Sequence, residues 1–161
     1  MTVVIAPDDP RVDDVRALLE DHLAFCREVT PPEHVYALDV EGLLDPSVTF
    51  FSARQEGVLL GVGALKRLDR SHAELKSMHT SKAARRQGVG RAMAAHLLVF
   101  ATASSYRKVS LETGSMEAFA PARSLYTELG FVVCAAFGEY IASPDSTYMT
   151  RDIGHRCGSS V

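Results

Sequence analysis

The sequence predicts a single mixed α+β domain, and three observations lead there. The chain has 161 residues, within the range of one domain and enough to bury a single core. Three β-rich runs follow one another between residues 48 and 80, separated only by turn residues. Before and after them lie long stretches whose apolar residues recur at three and four, the spacing of a helix that buries one face.

The elements follow in order. Thr2 to Ile5 is a short β-branched run that ends at Pro7 and the turn-prone Asp8, Asp9 and Pro10, and reads as a strand and its turn. Between Val12 and Val29, Val12, Val15, Leu18, Leu19, Leu23 and Phe25 fall mostly at helical spacing, and the Pro31-Pro32 pair stops the helix. His34 to Leu44 fits a further short helix closed by Asp45-Pro46. Val48–Ala53 and Val58–Leu68 read as strands joined by a tight hairpin at Gln55, Glu56 and Gly57, and Ala73–Thr80 completes an antiparallel meander. A glycine-bearing loop, Ser81–Gly90, feeds directly into a helix marked by Met93, Leu97, Leu98 and Ala101. Val109–Thr113 is the next strand, Phe119–Leu129 the next helix, with Gly130 as its C-terminal cap before the strand Phe131–Ala135. A last strand, Thr147–Asp152, precedes a polar tail, so the domain is placed at residues 1–153 and a mobile tail at 154–161.

Composition narrows the classes. An apolar fraction of 47% and a charged fraction of 23% are those of an ordinary globular protein. A formal charge of -3, with no run of basic residues, excludes a general attraction to nucleic acid. No segment approaches the length of a membrane span, and the N-terminus MTVVIAPDDP lacks a basic region followed by an apolar stretch, so the expected compartment is the cytoplasm. Cys26, Cys134 and Cys157 are an odd number without a CxxC pair and read as free thiols, and neither His79 nor His96 has a partner at metal-ligand spacing, so no metal is expected.

The densest chemical signal is Arg85-Arg86-Gln87-Gly88-Val89-Gly90-Arg91, between a strand and a helix. Unpaired N–H groups and the positive end of the helix dipole make such a junction a site for phosphate oxygens. Glycines at 88 and 90 let the backbone approach the anion, and the arginines suit a pyrophosphate better than a single carboxylate. The bland alternative is a glycine-containing turn with exposed arginines. There is no GxxxxGK[ST] and no GxGxxG opening the first helix, which excludes a P-loop and a dinucleotide-binding fold.

Arg85-x-x-Gly88-x-Gly90, followed by the string Ala122-Arg123-Ser124-Leu125-Tyr126-Thr127-Glu128-Leu129-Gly130-Phe131, resembles the two signatures of the GNAT superfamily of N-acetyltransferases, and the order of elements is similar to that family's fold over nearly the whole chain. The strings Glu74-Leu75-Lys76-Ser77-Met78, Leu111-Glu112-Thr113-Gly114 and Phe137-Gly138-Glu139-Tyr140 resemble a group of small bacterial acetyltransferases within it. One position departs: where many members carry an asparagine three residues before the alanine matching Ala122, this chain has Phe119.

The resemblance implies a mixed, mainly antiparallel twisted sheet flanked by helices. It also implies acetyl-CoA as co-substrate and an amine acceptor, a small molecule or a peptide, that attacks directly in a ternary complex. A non-catalytic acyl-CoA sensor is the alternative. Cofactor contacts are expected from Met78, His79, Thr80, Arg85, Arg86, Gln87, Gly88, Val89, Gly90, Arg91, Ala122 and Arg123; for Arg123, an exposed helix arginine is the other reading. Glu74 is expected as general base, against a solvent-facing strand glutamate. Tyr126 is expected as the acid that protonates the departing sulfur, against a packed core tyrosine. Arg27, His22, His34, Glu112 and Tyr140 are candidates for the acceptor side. Members of the family are often dimers, so a homodimer stays open.

Overall fold

The computed structural model describes residues 2–154. The expected tail, with Cys157, lies outside the described residues apart from Gly154. Seven strands form one sheet: β1 (Val4–Pro7), β2 (Val48–Gln55), β3 (Val58–Arg67), β4 (His72–Thr80), β5 (Lys108–Gly114), β6 (Val132–Cys134) and β7 (Ser146–Asp152), in the order β1-β2-β3-β4-β5-β7-β6. Every neighbouring pair is antiparallel except β4 with β5. Four helices cover the sheet: α1 (Asp13–Val29), α2 (Val40–Leu43), α3 (Val89–Ala103) and α4 (Ala120–Glu128). The fold is therefore α+β, with a mixed, mainly antiparallel sheet flanked by helices.

The period of two along each strand divides the core into two layers. Phe51 and Leu65 face the same layer as Leu75, Val109 and Leu111, where Met93, Leu97 and Ala101 of α3 cover them. Phe50, Val62 and Ala64 face the other way, against Val15, Leu18 and Leu19 of α1. The β2–β3 hairpin turns at Glu56 and Gly57, both at positive φ (53° and 83°), the two-residue turn whose twist matches its strands.

The structure revises one element. In place of a helix over His34–Leu44, a 3-10 turn at Pro32–His34 and the single-turn α2 flank an extended segment. Asp39 starts α2 by accepting a hydrogen bond from the Gly42 N–H (2.9 Å), so a capping residue in the middle of the stretch divides it.

The parallel pairing of β4 and β5 is short. It runs from His72↔Lys108 to Leu75↔Leu111 and stops. Just beyond, Ser77 lies at φ 56°, and the β3–β4 register shifts between Val62 and Ala64. This bulge turns the end of β4 away from β5, and the two strands open into a cleft.

The packing of α3 carries an expected outcome. Leu97 is fully buried, so Leu97→Ala should cost about 2–5 kcal/mol. Val99, 69% exposed on the same helix, is the control, and Val99→Ala should stay within about 0.5 kcal/mol. Urea denaturation of the two variants measures both.

Candidate active site

Two cavities meet in this cleft. The outer one, about 360 Å³, is a groove lined by Met78, His79, Thr80, Arg85, Val89 and Gly90, among others. The inner one, about 120 Å³, is walled by Cys26, Tyr36, Glu74, Lys76, Ser77 and Glu112, with Thr30 and His34 also lining it. His22, Met78, Phe119, Ala122 and Tyr126 line both. A group carried in the groove is therefore presented to the inner cavity at these five residues.

The mouth of the groove is the start of α3. Gly88 caps the helix at φ 81° with no side-chain hydrogen bond to its first turn. A Cβ at Gly88 would meet nothing within 4 Å, so there is open space beside the helix start. Arg86, exposed and itself at positive φ (64°), stands beside it. Arg85 lines the groove, while two other polar groups of the segment are turned elsewhere: the Gln87 amide donates to the Ala83 carbonyl (3.1 Å), and Arg91 pairs with Glu128. Arg123 is likewise committed, donating to the carbonyls of Gly114 (2.7 Å) and Met116 (3.0 Å). It clamps the turn between β5 and α4 instead of pointing at the anion loop.

Tyr126 is placed by the end of its helix. The Phe131 N–H donates to the Tyr126 carbonyl (3.0 Å) and the Gly130 N–H to that of Thr127 (3.1 Å), with Gly130 at φ 93°. This Schellman arrangement brings the Tyr126 and Phe131 rings together at 5.7 Å. The string from Leu125 to Phe131 thus fixes the phenol between core and cavity, and burial raises its pKa. Phe119, in the position where asparagine was expected, lies edge-on to Phe25 of α1 at 5.3 Å. Its ring fills the place of a Cβ on residue 114, and only glycine fits there.

Glu74 does not face solvent; it is 3% exposed, on the sheet face opposite α3. Its Oε2 accepts hydrogen bonds from the Tyr140 hydroxyl and from Lys76 Nζ (3.4 Å). Lys76 also donates to the Tyr140 hydroxyl (2.9 Å) and the Tyr36 carbonyl (3.2 Å). Burial raises the Tyr140 pKa, with Glu74 adding to it, so Tyr140 remains a phenol and a donor. It sits behind Glu74, where it lines a third recess with Lys66, Arg67 and Glu139. Glu112 lines the inner cavity, and its Oε2 accepts from Ser146 Oγ (2.7 Å). The one buried side-chain oxygen without a hydrogen-bond partner among the described residues is Ser77 Oγ, in the bulge and in the wall of the same cavity.

Two candidates from the N-terminal segment part company. His34 lines the inner cavity and pairs with Asp145 (2.7 Å), tying the cavity wall to the loop before β7. Arg27 is exposed and outside both cavities, because Cys26, one residue and about 100° around the helix, takes the inward position. Sequence reasoning missed Lys76, Tyr36 and Cys26. Lys76 had a signal, since it stands two residues after Glu74 on one strand face; the inward turn of Tyr36 rests on the extended segment that replaced the expected helix. Among the described residues no group of three or more His, Cys, Asp or Glu side chains is arranged to hold a metal ion. No described helix is long and apolar enough to cross a membrane.

The sheet thus splits after a bulge, with an uncapped helix start on one side of the cleft and an acidic cavity on the other. Residues 15–131 match the acetyltransferase (GNAT) family, and the chain belongs to it. It is 42% identical over 146 residues to the uncharacterized N-acetyltransferase YsnE of Bacillus subtilis (strain 168), covering 91% of this chain and 97% of that one. It is 38% identical over 146 residues to the uncharacterized N-acetyltransferase YedL of Escherichia coli (strain K12), covering 91% and 92%. In fold it is similar to an aminoglycoside 6'-N-acetyltransferase complexed with coenzyme A, at a TM-score of 0.71 and 14% identity over 96% of this chain and 99% of that one.

The two histidines of the shared wall give this site a pH signature. His22 and His79 face each other Nδ1 to Nδ1 at 3.2 Å, so one ring donates while the other accepts. Burial depresses both pKa values to about 4; His79 is also lowered by Arg85 and opposed by Asp21, and His22 is lowered by His79. Unfolded histidines titrate near 6.5, so between pH 6.5 and 4 the unfolded chain binds more protons than the folded one. The stability from the neutral pair is complete above pH 6.5 and is lost as pH falls toward 4. Urea denaturation across this window should show that slope, and His22→Phe should flatten it; an unchanged slope in the variant would contradict the assignment.

Proposed function

We propose that the protein transfers the acetyl group of acetyl-CoA to an amino group of a small molecule or peptide, by direct attack in a ternary complex. One observation carries this reading: a groove headed by an anion-binding helix start and a cavity with two carboxylates meet at Tyr126. Acetyl-CoA supplies an activated thioester carbon. The uncapped N–H groups at Gly88–Arg91 and the Arg86 guanidinium hold the pyrophosphate. The edge of β4 at Met78–Thr80, which β5 has left, offers its backbone to the pantetheine arm as a strand would. The orphaned Ser77 oxygen supports a polar ligand group in the cavity, since a buried hydroxyl without a partner costs about 1–3 kcal/mol until it is satisfied.

The residues divide the proton work. A carboxylate of the inner cavity takes the proton that an ammonium must lose before it can attack, and the floor holds Glu74 and Glu112 for this. Tyr126, kept in its neutral phenol form by burial, is the donor for the departing sulfur. No acetylated enzyme is required: burial pushes the pKa of Cys26, the thiol in the cavity wall, up to about 11, so it is no nucleophile near neutrality.

Calorimetric titration with acetyl-CoA, with ADP as control, tests the cofactor assignment. Wild-type protein should saturate and bind acetyl-CoA more tightly than ADP. An Arg86→Ala/Gly88→Trp variant should bind at least about tenfold more weakly, since one charge-assisted contact is worth about 1.5–3 kcal/mol. Absence of binding by folded wild type would remove the reading. Transfer is tested separately by CoA thiol release with a panel of primary amines. Tyr126→Phe should lower kcat by about 10²-fold with acetyl-CoA affinity kept; binding without turnover on any amine would point to a sensor.

A further inference from the structure

The two carboxylates of the inner cavity are held differently. Glu74 directs one oxygen, Oε2, at both a phenol and an ammonium, Tyr140 and Lys76. Lys76 is held in turn by the Tyr36 carbonyl, which closes the network on that side. The Glu74 oxygen that meets these donors carries both of them before any acceptor arrives, so its lone pairs are already taken. Glu112 has one neutral donor, Ser146 Oγ, on Oε2, and no described residue donates to its other oxygen.

Position favours Glu112 as well. Leu75↔Leu111 is the last pair of the parallel ladder, so Glu112 is the first residue of β5 in the open part of the cleft. Both carboxylates share the inner cavity with Met78 and Tyr126, two of the residues through which the groove opens into it, but Glu74 lies within the closed ladder, opposite Ser110.

We propose that Glu112, and not Glu74, takes the proton of the acceptor amine, and that the Glu74–Lys76–Tyr140 network positions the cavity floor. The inference rests on the acetyl-transfer reading above. The ammonium passes one proton to the Glu112 carboxylate, the freed nitrogen lone pair forms the C–N bond, the C–S bond breaks, the thiolate takes the Tyr126 proton, and the second N–H proton leaves the new amide nitrogen to restore the Tyr126 phenol. The net change is one proton moved from nitrogen to sulfur and one released through Glu112 to solvent, so both side chains return to their starting states. Burial raises the Glu112 pKa, opposed by Ser146 and Lys76 and assisted by Glu74, which brings the base nearer the operating pH. The titratable groups facing it are Lys76 and Glu74 from β4, Cys26 from α1, Tyr140 from the loop before β7, and Tyr148 from β7.

Two amines separate proton removal from all other effects. Ethylamine is an ammonium ion at neutral pH, whereas methoxyamine is already unprotonated. With acetyl-CoA as donor and CoA release as readout, Glu112→Gln should lower kcat for ethylamine by about 10²–10⁴-fold at pH 7, and the deficit should shrink as pH rises. The same variant should leave methoxyamine transfer and the calorimetric Kd for acetyl-CoA nearly unchanged. Glu74→Gln, as a positioning variant, should affect both amines alike. If Glu112→Gln slows both amines equally, or if Glu74→Gln alone shows the ethylamine-selective loss, the assignment is overturned. Wild type that fails to bind acetyl-CoA overturns the parent reading instead, and the binding arm reports that outcome separately.

Discussion

The pairing of β4 with β5 ends after four rungs, and the site depends on where it ends. A continued parallel ladder would close the sheet over the space that is now the cleft, leaving no exposed edge on β4 and no gap between Glu112 and Lys76. The bulge at Ser77 prevents this by placing a non-glycine residue at positive φ. Such a conformation costs about 1–3 kcal/mol and persists only where the surroundings enforce it. Here β3 still pairs with β4 on both sides of the bulge, while Met78 packs against the core beyond it. The orphaned Ser77 hydroxyl belongs to the same feature. A positive-φ non-glycine residue and an unsatisfied polar atom thus coincide at the point where the groove meets the cavity.

The walls of the cleft come from elements far apart in sequence, each held by its own local device. The α3 start is shaped by Gly88, Tyr126 by the Schellman end of α4, and the far wall of the inner cavity by the segment after Pro31-Pro32 and the loop that His34 grips through Asp145. Phe119 bridges two of these walls. Where a polar amide would offer hydrogen bonds to a cofactor, this chain packs an aromatic ring against Phe25 and over Gly114, and the Arg123 guanidinium secures the same turn. The cleft is therefore braced across its width by apolar contact.

Burial sorts the ionisable groups. The histidine pair at the seam is kept neutral, the Cys26 thiol is kept protonated, and Tyr126 and Tyr140 are kept as phenols. In the wall of the inner cavity, Lys76 Nζ stands 3.4 Å from Glu74 Oε2, His34 is paired with Asp145, and Glu112 has no cation hydrogen-bonded to it among the described residues.

The amino-acid sequence by itself determined the α+β class, most of the strands and long helices to within a few residues, and the glycine-bearing junction that opens α3. Each of these rests on local periods and turn chemistry: three- and four-residue spacing in α1 and α3, β-branched runs, a hairpin turn, glycines before a helix. It also marked Tyr126 through the string that ends in Gly130-Phe131, since that string encodes a helix terminus. The sequence could not place the inner cavity. Glu74 also admitted a reading as a solvent-facing strand residue, Arg27 and Cys26 were adjacent letters, and Lys76 drew no notice, because which face of a strand or helix is covered depends on what packs there. Only the tertiary structure decided that Tyr36 and Tyr140 close over Glu74 and that Arg123 turns inward to backbone carbonyls. It alone brings Glu112 to the apex of the split sheet: strand separation arises from contacts among β3, β4 and β5 and has no local signature in any of the three.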